Sequence, residues 1–219
     1  MKIVAISDVH GRQNKITIPE CDILISCGDY SFRGEHHMVR DYHKWLDKQP
    51  AKHIISVQGN HEVMVQRDFQ LMKAAAVEMC PRVHFVEEGL VEVEGIRIWC
   101  SAWTPFFHDW AYNAFRGPDI QAHWDLIPND IQILVTHGPP AGVLDETIRA
   151  NGDPTGEHVG CEDLAEAIRR VKPDLHFFGH IHCGHGQLHR DGVSYYNVSI
   201  CDEMYVASNP VTIVEYSKE

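Results

Sequence analysis

"KIVAISDVHG", residues 2–11, passes from an apolar run to Asp8, His10 and Gly11 within a few positions. A short, nearly continuous apolar run of this kind reads as a strand covered on both faces, unlike the alternating pattern of a half-wetted strand. The polar residues then fall where the strand gives way to a loop. The same grammar recurs along the chain. "DILISCGD" (22–29) ends in Asp29, "HIISVQGNHE" (53–62) in Asn60, His61 and Glu62, "IQILVTHG" (131–138) in His137, and "LHFFGHIH" (175–182) in His180 and His182. A sixth run, "RIWCSA" (97–102), carries no such ending.

Helical patterns lie between some of these runs. In 36–48, Met38, Val39, Tyr42, Trp45 and Leu46 share one face. In 161–172, Leu164, Ala165, Ile168 and Val171 do the same, with Glu162 and Asp163 early and Arg169, Arg170 and Lys172 late, as the helix dipole favours. "GLVEVEG" (89–95) and "GVSYYNVS" (192–199) alternate and are expected as antiparallel strands with one wetter face. The mixture predicts an α/β fold of two packed sheets with helices outside. With no linker or repeat in view, residues 1–219 are expected to form a single domain. The aromatic, proline-broken segment 103–130 lacks clean periodicity. A helix is expected at 119–127, and a connection this long is usually functional.

Composition narrows the function. Lys+Arg total 19 and Asp+Glu 31, a formal charge of −12, which repels polyanions. Polymeric nucleic acid and anionic membrane surfaces are therefore not expected partners. Seven cysteines without CxxC spacing, several inside apolar runs, read as buried reduced thiols. No signal peptide or membrane-length apolar window is apparent, so a cytoplasmic protein is expected.

Taken singly, each polar strand ending has an ordinary explanation, such as a turn, a helix cap or a satisfied core histidine. Five together, each at a strand's carboxyl end where α/β sheets bind ligands, predict one metal cluster. Carboxylate, imidazole and amide oxygen without thiolate suit Mn²⁺, Fe, Zn²⁺, Co²⁺ or Ni²⁺. Six or seven such ligands are too many for one ion with an open position and suit two ions sharing a carboxylate. His180 and His182, two apart on an extended backbone, are expected to point to one face. Gly179 is expected where the backbone must pass close to the site.

The ordered set Asp-x-His, Gly-Asp, Gly-Asn-His-Glu, His and Gly-His-x-His resembles the calcineurin-like metallophosphoesterase superfamily. The segments "SDVHGRQNKITIPECDILISCGD", "AFRGPDIQAHWDLIPNDIQILVTHGPP" and "VGCEDL" are similar to its metallophosphoesterase-domain subgroup. That resemblance implies a four-layer α-β-β-α sandwich of two mixed sheets and two divalent ions, Mn²⁺ foremost. It assigns Asp8, His10 and His182 to one ion, Asn60, His137 and His180 to the other, and Asp29 to both. His61 would face the substrate and assist the leaving group, with Glu62 orienting its ring. The implied activity is in-line hydrolysis of small phosphodiesters, 2′,3′-cyclic nucleotides among them, with a phosphomonoesterase or a non-catalytic nucleotide- or metal-binding scaffold as alternatives. Asn60, His61, Asn113 and Arg116 are the expected substrate contacts. Cys183 and His185 depart from the subgroup's usual residues, and His185 is expected to have no metal role.

Overall fold

The apolar runs fold as their patterns demand: where both neighbours of a strand are apolar, both of its faces are covered. The computed structural model describes residues 1–149 and 152–217. In its first half the elements are β1 (Lys2–Ile6), β2 (Cys21–Ser26), α1 (His36–Asp47), β3 (Ala51–Val57), α2 (Val63–Arg67), α3 (Phe69–Met79), β4 (Val83–Val86), β5 (Glu88–Val93) and β6 (Ile96–Ser101). Then come β7 (Thr104–Pro105), β8 (Asn113–Ala114), α4 (Pro118–Trp124), β9 (Ile133–Thr136), β10 (Glu146–Ile148) and β11 (Pro154–His158). The last are α5 (Glu162–Val171), β12 (Leu175–Phe178), β13 (Gly186–Arg190), β14 (Val193–Asn197) and β15 (Thr212–Glu215).

Two large mixed sheets result. One has the order β15-β1-β2-β3-β4, parallel from β1 to β4 with β15 antiparallel at the edge. The other has the order β13-β14-β12-β9-β6-β5, parallel through its four central strands and antiparallel at both edges. Side-chain alternation sorts each strand between two cores. Ile3, Ala5, Ile23 and Ile25 meet Ile98, Ile133, Val135 and Phe177 between the sheets. On the outer face of the first sheet, Val4, Ile6 and Leu24 pack on Val39, Tyr42 and Leu46 of α1 and Met72 and Ala76 of α3. On that of the second, Leu134 and Phe178 pack on Ile120 and Trp124 of α4 and Leu164 and Ile168 of α5. The layers are therefore α-β-β-α, as expected.

Three local differences from the sequence expectations have physical causes. The strand within 192–199 is antiparallel to β13 but parallel to β12, so it is internal to the sheet rather than a simple hairpin arm. The helix of segment 103–130 starts a residue early, at Pro118, and stops at Trp124. Helix α3 had no legible periodicity because apolar Leu71 and Val77 are exposed beside buried Met72, Ala75 and Ala76. The seven cysteines are free, six of them buried and Cys183 half-buried. Among the described residues no helix is long and apolar enough to cross a membrane.

The carboxyl ends of β1, β2 and β3 in one sheet and of β9 and β12 in the other come together at one edge. Ser7 N donates to Val198 O at 2.9 Å and Gly179 N to His137 O at 2.8 Å, joining the sheets and the loops at that edge. This seam collects the polar strand endings into one place.

Candidate metal centre and its cleft

Four of the collected residues hold left-handed backbones: Asp8 (φ 53°), His10 (φ 42°), Asp29 (φ 53°) and His180 (φ 70°). Non-glycine residues adopt this region at a cost, and clusters of them mark sites where geometry is imposed by function. Close packing enforces it further. A Cβ on Gly179 would lie 2.2 Å from Asp8 Oδ2, and one on Gly59 2.3 Å from Asp29 Oδ1, so both positions require glycine.

One group comprises Asp8, His10 and His182, whose ligand atoms lie within 4.8 Å of one another. Asp8 Oδ2 accepts from His180 N at 2.9 Å and from Ser199 Oγ at 2.8 Å, whereas buried Asp8 Oδ1 has no hydrogen-bond partner. His10 Nδ1 donates to Ser31 O at 3.3 Å and His182 Nδ1 to Asp202 O at 3.0 Å. A carbonyl only accepts, so both Nδ1 atoms carry the proton and both Nε2 atoms are bare in the neutral rings. Those two Nε2 atoms face each other at 3.3 Å.

Two further groups meet the same distance: Asp29, His137 and His180 and, between these and the first, His10, Asp29 and His61. His137 Nδ1 donates to Cys27 O at 2.9 Å, which leaves its Nε2 lone pair 2.8 Å from Asn60 Oδ1 and 3.3 Å from Asp29 Oδ2. Acceptors converging this way need positive charge between them. The titration of the rings shows the same demand. Burial opposes charge on His137, yet Asp29 pushes its pKa up to about 9. Burial likewise opposes charge on His182, yet the Asp8 carboxylate, 3.5 Å from its Nε2, raises its pKa to about 9. Burial holds His10 and His180 down, each to about 4, and neighbouring imidazoles add to it against the pull of Asp8 and Asp29. The partnerless Asp8 Oδ1 and the facing imidazole lone pairs fit divalent cations held by oxygen and nitrogen donors.

The two histidines of the last motif do not share an extended strand. His180 is left-handed and His182 begins a 3₁₀ turn, His182–Gly184, so the expectation of one common face fails. The bend sends His180 to the Asp29 group and His182 to the Asp8 group.

His61 stands between the groups. Its backbone N donates to Asp29 Oδ1 at 2.8 Å, its Nδ1 to Phe32 O at 2.9 Å, and its Nε2 lies 3.9 Å from Asp29 Oδ2. The expectation that Glu62 orients this ring is not met. Glu62 is fully buried and accepts from Asp29 N and Gly59 N, both at 2.8 Å, and from Ser31 N at 3.1 Å and Ser31 Oγ at 2.8 Å. The turn at 59–62 tucks the carboxylate back beneath the loops that carry Asp29 and Asn60, and Phe32's carbonyl orients the imidazole instead. Burial, reinforced by the nearby Asp29 charge, pushes the Glu62 carboxyl up to about 8.

A cleft of about 410 Å³ opens above the groups, with Asp29, Asn60, His61, His180 and His182 on its lining. Phe106, Phe107 and Trp110 wall one side and Tyr205 another. Arg116 also reaches the cleft, but its guanidinium is engaged by Gly160 O (2.7 Å), Val159 O (2.8 Å) and the Glu162 carboxylate. Asn113 is not on the cleft wall. Its side-chain nitrogen donates to the carbonyls of Phe107 (3.3 Å), His108 (2.7 Å) and Trp110 (3.1 Å), so it braces the loop rather than facing a ligand. His185 is half-buried and off the cleft wall as well. Trp110 and Tyr205 escaped the sequence reading. Tyr205, at φ 57°, sets its ring edge-on to His10 (4.7 Å) and His182 (5.5 Å) from a turn that Asp202 caps. The only sequence signal for it is an acidic residue before a short turn.

Fold, strand-end cluster and cleft together define a metal-dependent hydrolase of phosphate esters. Residues 1–184 match the family described as calcineurin-like phosphoesterase, and the chain belongs to it. Human metallophosphoesterase domain-containing protein 1 is 32% identical over 98% of this chain and 70% of its own length, and the mouse protein of that name matches equally. Among solved structures, the phosphopantetheinyl hydrolase of Mycobacterium tuberculosis superposes with a TM-score of 0.58 at 18% identity, covering 93% of this chain and 90% of that one. A novel archaeal phosphodiesterase gives 0.50 at 15% identity, over 98% and 93%. At such identities these two show the shared fold. The family resemblance drawn from the motifs holds, and the chain is a metal-dependent phosphoesterase.

Proposed function

We propose that this chain hydrolyses small phosphodiesters at a pair of divalent cations, with 2′,3′-cyclic nucleotides the class to examine first and Mn²⁺ the metal to supply. The observation that carries the reading is the convergence of bare imidazole lone pairs and buried carboxylates on the floor of an aromatic cleft. Asp8, His10 and His182 would hold one ion, Asn60, His137 and His180 the other, and Asp29 both. Bound there, the ions supply Lewis acidity and a water nucleophile at near-neutral pH.

The chain's own residues do the rest. His61, with its Nδ1 proton committed to Phe32 O, presents Nε2 towards the cluster. For this step the ring is the imidazolium, with a second proton on Nε2. As water's oxygen bonds to phosphorus and the ester P–O bond breaks, that proton passes to the departing oxygen and the proton shed by the attacking water replaces it, giving an alcohol and a phosphomonoester. Glu62 holds the backbone of Asp29 and Gly59 in place through its four accepted hydrogen bonds. The aromatic walls favour a substrate with an organic group on each side of phosphorus. Arg116, among the described residues the one Arg or Lys on the cleft lining, is already engaged by protein acceptors, which disfavours a dianionic monoester. The ligands come from both sheets, so residues 1–219 act as one domain in this reading. Seven free thiols suit a cytoplasmic setting.

The test compares bis-p-nitrophenyl phosphate with p-nitrophenyl phosphate after chelation and re-addition of Mn²⁺. Turnover mainly of the diester is the expected result and leads to a screen of cyclic nucleotides. Turnover mainly of the monoester, or none with metal restored, would overturn it.

A further inference from the structure

Trp110 has no assigned part in the chemistry, yet its indole stacks on the His61 imidazole with ring centroids 4.3 Å apart and planes 26° from parallel. We propose that Trp110 is the positioning residue for His61: it fixes the plane of the imidazole while the Phe32 carbonyl fixes its direction within that plane. The inference rests on the reading of His61 as the group that serves the leaving oxygen.

A hydrogen bond at Nδ1 alone leaves the ring free to tilt about that bond, and tilting swings Nε2 away from the departing oxygen. A flat partner on the ring face removes that freedom. Several contacts hold the indole to this task. Loop 31–34, which supplies the Phe32 carbonyl, also sets the Arg33 guanidinium 5.1 Å from the centroid of the Trp110 ring, a cation–π contact. Ala111 N, next to Trp110, donates to Asn60 O at 2.9 Å, tying the tryptophan loop to the residue preceding His61. Asn113 closes the same loop by donating to Phe107, His108 and Trp110 carbonyls, and Tyr112 N donates to Gln66 Oε1 at 3.1 Å. An aromatic that merely walled the cleft would need neither the tie to Asn60 nor the face-to-face register with His61.

Leaving-group dependence separates positioning from walling. A p-nitrophenolate departs with little protonation, whereas a phenolate needs it, so misplacing the proton donor falls on the poorer leaving group. Trp110→Ala and Trp110→Leu, the second keeping apolar bulk without a ring face, are assayed on methyl p-nitrophenyl phosphate and methyl phenyl phosphate with Mn²⁺ bound. Expected are a kcat loss of about 30- to 100-fold on the phenyl ester, about 5-fold or less on the nitrophenyl ester, and unchanged metal content. Trp110→Phe, which restores a face, recovers most of the phenyl-ester rate. Equal losses on both esters, a change in KM alone, or Trp110→Phe no better than Trp110→Leu overturn the proposal. His61→Ala runs alongside. If it discriminates between the esters and the Trp110 variants do not, the positioning role alone falls. If it does not discriminate, the leaving-group role of His61 fails and the positioning role with it.

Discussion

The strand-end cluster and the aromatic segment 103–130 border the same cleft but are built on opposite plans. Asp8, Asp29 and His137 are buried, braced by backbone hydrogen bonds and approached by glycines that tolerate no Cβ. Phe106 and Phe107 on the segment are about half exposed, and their loop is closed by the Asn113 amide and a few backbone bonds, among them Phe106 N to Ala114 O at 2.9 Å. A cluster whose atoms are over-determined accepts few residue types, so its chemistry is written into local motifs. A wall whose aromatic rings stand half in solvent admits many solutions. In the proposed reading the first region holds the metals and the His61 proton donor, and the second positions that ring and selects the substrate.

Four variants or conditions can break or sharpen that division, the largest effect first. Asp29→Asn removes the carboxylate proposed to touch both ions. Metal analysis should then show loss of both ions, with diester turnover down on the order of 10³-fold, equivalent to about 4 kcal/mol in the barrier. Retention of two ions would remove Asp29 from its shared position. His61→Ala should keep both ions and lose about 10²- to 10³-fold in kcat, because it deletes a proton donor and no ligand. Collapse of metal content in that variant would put His61 among the ligands.

The third concerns the scaffold under the cluster. His43 bonds Val39 O and Ser56 Oγ, and His176 bonds Thr136 Oγ1, so each ring braces a strand that delivers ligands. Burial lowers their pKa values to about 4 and about 3 from the usual 6.5. The folded chain keeps both rings neutral, whereas the unfolded chain takes up protons below pH 6.5. The stability they contribute is therefore complete above pH 6.5 and is lost as pH falls towards 4, at about 1 kcal/mol per pH unit for each ring. Because His10, His180 and Glu62 also change charge between pH 5 and pH 7, the reading is a difference. The shift in denaturant midpoint between pH 7 and pH 5 should shrink in His43→Gln and in His176→Gln, and a shift unchanged in both would show that neither ring resists protonation. Last, Asn113→Ala should loosen the tryptophan loop, reduce diester kcat/KM by about 3- to 10-fold and leave metal content unchanged. Loss of metal there would mean that wall and cluster are not separable.

Much of the fold and the cluster was legible because period and position were redundant. Six apolar runs announced six of the strands, and five carried polar endings that one sheet seam gathers together. What stayed hidden was what local pattern does not encode. Glu62 sits beside His61 in sequence, but the turn at 59–62 aims its carboxylate at the backbone of residues 29, 31 and 59, not at the ring. His180 and His182 suggested alternation along a strand, and a left-handed residue broke it. Asn113 and Arg116 were expected as ligand contacts because of the length and position of the loop that carries them. Tertiary partners 3 to 6 residues away in one case, and on the 159–162 loop in the other, had already claimed their polar atoms. Trp110 lay in a segment without periodicity, where only the three-dimensional stack on His61 distinguishes it from its aromatic neighbours.

The central claim is that the strand-end cluster holds two ions with Asp29 between them. An anomalous-difference map from crystals grown with Mn²⁺ tests it most directly. The account predicts two peaks about 3.5–4 Å apart, one against Asp8, His10 and His182 and one against Asn60, His137 and His180, with Asp29 touching both. A single peak, or two peaks without Asp29 between them, would contradict it.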